Sequence, residues 1–185
     1  PISIGCLIVT ALSVAREREE GTFDQLLVSP LTPLYIMAGK ALPGMLVAFL
    51  QGCFIALAAR FIYGVPFTGS LPMLLLGMLA YGLALSGIGL FISSLCTTQQ
   101  QAFLGAFTVG VPCILISGGV TPIMNMPVFL QHASQLNPLR HFTTIIQGVF
   151  LKDITVAAAA VSLGKITCIS IVTVSVAVWM FRRKA

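Results

Sequence analysis

Between Arg60 and Arg140 the chain carries no Asp, Glu, Lys or Arg, a gap of 79 residues (61–139). Few architectures tolerate this. A soluble fold of this size could not cover its surface with what remains. Hydrophobic residues make up 57% of the 185 and charged residues 8%, against roughly 45–50% and 25% in a soluble domain. The chain therefore reads as an integral membrane protein, all-α, a polytopic transmembrane helical bundle.

The net charge of +5 is then a matter of topology. Arg182-Arg183-Lys184 follows directly on an apolar run, as a cytoplasmic flank does. Nucleic acid is excluded as a partner, because no basic patch is interleaved with aromatics. The five cysteines are scattered and form no CxxC pair, so they read as free thiols acting as small hydrophobes.

The sequence opens on Pro1 inside a short apolar run, with no basic flank before it and no cleavage motif after it. Residues 1–14 are expected to be the end of a truncated span. Four further spans are expected at 41–63, 71–95, 102–119 and 161–181. The 25 residues of 71–95 would reach roughly 37 Å as a helix, enough to cross with tilt. Four crossings put the 15–40 segment and the basic tail on one side. Six Lys and Arg then face the cytosol (Arg16, Arg18, Lys40, Arg182, Arg183, Lys184) against four outside (Arg60, Arg140, Lys152, Lys165). Within the 71–95 span, Gly82, Ser86, Gly89 and Ser93 share one helical face. Small residues there let another helix approach closely, within the subunit or across a subunit contact.

Four of the five acidic residues (Glu17, Glu19, Glu20, Asp24) lie in the 15–40 segment. Arg16 to Glu20 would extend the first helix beyond the bilayer, and Gly21 suits the position that stops it. Thr22-x-x-Gln25 reads as a capping box that starts a new short helix at 23–28, ended by Ser29-Pro30. Phe23, Leu26 and Leu27 share its apolar face. Thr32 and Pro33 would begin a third helix, running through Lys40 toward a kink near Pro43. The short helix either lies on lipid or protrudes to dock into a soluble partner, with Arg16, Glu17, Glu19 and Glu20 steering it.

"VAREREEGTFDQLLVSPLTPLYIMAGKALPG" (14–44) resembles the coupling-helix segment of ABC-2 type transporter permeases. "YGVPFTGSLPMLLLG" (63–77) is similar to the loop and span that follow in that family. "ISGGVTPIMNMPVFLQHASQLNPLRHFTTIIQGVFL" (116–151) resembles its external re-entrant region. Tyr35 departs from the family pattern, where an acidic residue often follows the proline. The nearest subset is the multidrug-type permeases of bacteria.

The resemblance implies a single transmembrane domain over 1–185, with a cytosolic connector at 15–40 and external re-entrant helices at 120–160. It implies that a first span and a periplasmic domain are missing. It implies a permease that moves a drug-like, lipid or glycan substrate out of the cytoplasm, multi-pass in the bacterial inner membrane with its C-terminus cytoplasmic. The partners implied are an ABC ATPase docked on Arg16, Glu17, Glu19, Glu20, Thr22, Phe23, Gln25, Leu26 and Leu27, and a second permease subunit. The chain itself would hold no cofactor, with ATP and Mg on the ATPase.

Other readings differ in their requirements. No Walker A motif is present, and neither Gly39-Lys40 nor Gly164-Lys165 has the required spacing. An intramembrane protease would need GxSG, or Glu and His within the spans, and has neither. A passive channel or structural subunit would have no use for a capped docking helix. Asn137, Arg140 and His141, with His132, are placed near an exit, either touching substrate or serving as interfacial polar residues that flank short helices. Asn125 and Gln147 read the same way.

Overall fold

The computed structural model describes residues 2–22, 33–65, 69–119, 122–152 and 156–184. Helix α1 (Ile2–Glu19) ends where the sequence calls for a stop. Gly21 takes φ +70°, a left-handed conformation that costs glycine little. The Thr22 N–H then donates to Glu17 O at 3.0 Å and the Gly21 N–H to Arg18 O at 3.3 Å. This pair of bonds is the Schellman closure, which satisfies two terminal carbonyls. The expected short helix at 23–28, with Phe23, Gln25, Leu26 and Leu27, lies outside the described residues.

Helix α2 (Pro33–Phe61) is continuous through Pro43. The helix that begins at Pro33 and the span expected at 41–63 therefore form one element of 29 residues. Within a bilayer, a proline's lost hydrogen bond is tolerated where neighbouring helices cover it. Helix α3 (Leu71–Leu95) coincides with the expected span. Helix α4 (Gln99–Leu115) starts and ends earlier than expected. Thr98 caps it, accepting from the Gln101 N–H at 3.3 Å, so the polar glutamines join the first turn. Past its end Gly118 takes φ +84°.

A 3₁₀ turn (Ile123–Asn125) leads to the short helices α5 (Val128–Gln135) and α6 (Pro138–Gln147). A π-helical turn (Gly148–Lys152) follows, and α7 (Val156–Lys184) closes the described chain. Residues 122–152 are thus helical in pieces, with breaks at the prolines. Helix α7 outruns the expected 161–181 at both ends. At its far end the Arg183 guanidinium lies 4.7 Å from the centre of the Trp179 ring.

Among the described residues three stretches are long and apolar enough to cross a bilayer: Tyr35–Phe61, Leu71–Leu95 and Ala159–Phe181. Helix α4, at 17 residues, reaches about 26 Å, somewhat short of the roughly 30 Å hydrocarbon core.

Helix α3 sits at the centre, touching α1, α2, α4, α6 and α7. Its small residues face inward to this chain. Gly82 meets Ala48 and Met45 of α2, and the Ser86 hydroxyl donates to Ala41 O at 3.3 Å. A methyl at Gly89 would overlap the Thr10 side chain of α1. Ser93 Oγ accepts from the Ala15 N–H at 2.9 Å. On the other flank Ser170 Oγ donates to Ala80 O at 2.9 Å, joining α7 to α3. Such bonds in lipid contribute about 0.6 kcal/mol each on average. Tyr81 is stacked on Phe142 of α6 at 4.3 Å and 7°, and its hydroxyl is hydrogen-bonded to Ser3 Oγ at 2.7 Å.

Candidate coupling site

The ends of α1 and α3 and the starts of α2 and α4 gather at one end of the bundle. Val14, Ile36, Met37, Leu90, Ala177 and Phe181 pack together there, so α7 finishes at the same end. The charged string Arg16 to Glu20 lies over this cluster, and its side chains divide sharply in what they touch.

Glu17 turns to α2 and forms an ion pair with Lys40; the side chains are only 28% and 12% exposed. An ion pair this far out of water is screened far less than a surface pair. Arg18 Nη1 donates to Ser94 O at 3.1 Å, near the end of α3, and partial burial lowers the Arg18 pKa. The Glu19 carboxylate accepts from the Gln99 N–H at 2.9 Å. It thereby satisfies an orphan donor and sits at the positive end of the α4 dipole. Arg16 and Glu20 face outward and pair with each other across one turn at 2.8 Å. That pair raises the Arg16 pKa. Thr22 Oγ1 bonds back to Glu17 O at 3.3 Å.

Of the nine residues expected at a docking surface, the structure brings together Arg16, Glu17, Glu19, Glu20 and Thr22. Phe23, Gln25, Leu26 and Leu27 lie outside the described residues. Glu17 and Glu19 are engaged with other helices of the chain, which leaves the Arg16–Glu20 pair as the outward-facing charge of the string. The sequence reading missed the partners Lys40, Arg18, Ser94 and Gln99. One signal was available for Lys40: a lone cation beside an apolar run, in a chain with only five acidic residues, needs one of them.

At the opposite end the polar residues are also occupied. Asn137 caps α6, accepting from the Leu139 N–H at 3.0 Å, and donates to Cys113 O at 2.6 Å, which ties α6 to the end of α4. Arg140 Nη1 donates to Gln131 O at 3.1 Å and Ser134 Oγ at 2.5 Å. His141 Nε2 donates to Gln135 O at 2.8 Å, and burial lowers the His141 pKa. These three join α6 to α5 and α4 and present little to a passing molecule. His132, Asn125 and Gln147 are exposed. Among the described residues no three of His, Cys, Asp and Glu come together as metal ligands would.

The model of the family described as ABC-2 type transporter matches residues 2–151. The chain is 51% identical to "Probable multidrug ABC transporter permease YbhR" of Escherichia coli (strain K12) over 182 residues, 98% of this chain and 50% of that protein. It is 32% identical to "Inner membrane transport permease YhhJ" of the same organism over 152 residues, 82% of this chain and 41% of the relative. "Probable multidrug ABC transporter permease YbhS" matches at 33% over 145 residues, 78% of this chain and 38% of the relative. The chain spans half the length of these relatives, or less.

Proposed function

The chain belongs to the ABC-2 type transporter family, and from that membership we propose that it is the membrane-spanning permease subunit of an ATP-driven exporter. It works in the bacterial inner membrane with the charged end and the C-terminus in the cytoplasm. A separate ABC ATPase binds ATP and magnesium, and a second permease subunit, identical or related, completes the pathway. The cargo is hydrophobic or amphipathic: drug-like, lipid or glycan. The multidrug wording in two relatives' names favours the first.

One observation supports the mechanism best. Glu17, Arg18 and Glu19 tie the root of the connector to α2, α3 and α4. ATP-driven closure of the ATPase pair displaces the connector helix through Phe23, Leu26 and Leu27. Helices α1 and α2, which flank it, tilt, and those ties carry the displacement to α3 and α4.

The test is co-purification of the ATPase with the full-length permease, together with substrate-stimulated ATP turnover. Leu26→Ala with Leu27→Ala should release the ATPase, since a single anchor truncation in such an interface typically costs over about 1 kcal/mol. Membrane insertion should persist. Wild-type association and turnover in the double variant would make the connector a lipid-surface element instead.

A further inference from the structure

Helices α2 and α3 approach closely near their middles and enclose a hollow further out. Gly82 meets Ala48, and a Cβ on Gly52 would stand 2.9 Å from Met78 Sδ. Beyond that contact, toward the end without the charged string, lies a cleft of about 410 Å³. Cys53, Leu57, Leu74, Leu75 and Phe150 line it, and Arg60 is its one charged lining residue. A neighbouring hollow of about 300 Å³ shares Ala56, Leu74, Met78 and Phe150 with it. Both volumes fall within the roughly 300–1,000 Å³ of small-ligand sites.

Arg60 decides what fits. It stands in the last turn of α2, at the end of the Tyr35–Phe61 span. An arginine there lies at headgroup depth, with the exposed Tyr63 beside it as an interfacial aromatic. No hydrogen bond or ion pair engages its guanidinium among the described residues. A forked, permanently charged donor above an apolar hollow complements a phosphate joined to an acyl chain. A neutral lipid would fill the hollow without offering a phosphate, and a zwitterionic one would bring its own ammonium beside the phosphate, opposing Arg60 and weakening the match. We propose that this cleft binds an anionic phospholipid, one acyl chain lying between α2 and α3 and the headgroup phosphate on Arg60.

The test uses the full-length permease, reconstituted with equimolar phosphatidylglycerol and phosphatidylethanolamine. It is then extracted into detergent and weighed intact by native mass spectrometry. The wild type should retain one phosphatidylglycerol per chain in preference to phosphatidylethanolamine. Arg60→Ala should lower that retention about fivefold, the worth of one interfacial cation. Arg60→Lys should keep most of it. Leu57→Trp should lower it with Arg60 intact, by filling the cleft. Lys165→Ala, which removes another exposed cation, should match the wild type. Equal retention of the two lipids, an Arg60→Ala variant that retains as much as wild type, or an equal loss on Lys165→Ala would overturn the proposal. So would a full-length chain that retains no lipid because another of its segments covers the cleft.

Discussion

Glu17 and Lys40 form an ion pair between the last turns of α1 and the first turns of α2, across the segment that holds the connector. The pair closes the base of the connector, and both members are held largely out of water.

Breaking it from either side should therefore be felt. Glu17→Gln leaves the Lys40 ammonium short of its counter-charge and should destabilise the full-length protein by roughly 1–3 kcal/mol. Partial exposure puts the effect toward the low end. The exchange Glu17→Lys with Lys40→Glu should recover most of the loss. Thermal unfolding in detergent is the measurement, and an unchanged midpoint for Glu17→Gln would show the pair to be inert.

Gly89 and Thr10 mark the closest approach of α3 to α1. Gly89→Ala should cost about 1–3 kcal/mol by overpacking. Thr10→Ala in the same chain should relieve part of that cost, a coupling that a double-mutant cycle reads directly. Gly39→Ala is the control: nothing lies within 4 Å of the added carbon, so helix propensity alone should make it neutral or stabilising. Additive single effects at Gly89 and Thr10 would refute the contact.

His141 sets a pH dependence at the other end. Burial lowers its folded pKa from 6.5, with Lys165 and Arg140 adding to the effect. Protonation then favours the unfolded chain. Its contribution is complete above 6.5 and is lost as pH falls below that value. His141→Gln should flatten the fall in unfolding temperature on acidification from about pH 7.5 to 5. An identical slope in both proteins would exclude His141 as the cause.

Sidedness can be read by labelling. On a background without the five native cysteines, Gln100→Cys and Tyr63→Cys place thiols at exposed positions at opposite ends of the bundle. An impermeant reagent should reach Gln100→Cys only from the cytoplasmic face and Tyr63→Cys only from outside. Labelling of both from one face would overturn the assigned crossings.

The sequence foretold those parts of the fold that depend on local chemistry. Leu71–Leu95 is bounded as its composition demands, and Gly21 stops α1 because only local backbone geometry is involved. That the helix starting at Pro33 runs on through Pro43 into the span was not legible, since whether a proline interrupts a helix depends on neighbours that cover the freed carbonyl. The face carrying Gly82, Ser86, Gly89 and Ser93 was legible as a contact, but its assignment to α1 and α2 required the packing itself. Glu17 and Glu19 looked like solvated charges because Lys40 and the Gln99 amide are distant along the chain. Nothing in residues 15–20 names those partners.

Tyr81 lies flat on Phe142, its hydroxyl meets Ser3, and Gly69 donates its N–H to Val149 O at 2.9 Å. Three stretches that are far apart along the chain thus share one joint. A chimera that grafted residues 122–152 from a relative onto this scaffold would inherit a mismatched seam unless the Ser3, Gly69 and Tyr81 positions travelled with it. The segment is not a cassette, and its exchange between homologues has to move the whole seam at once.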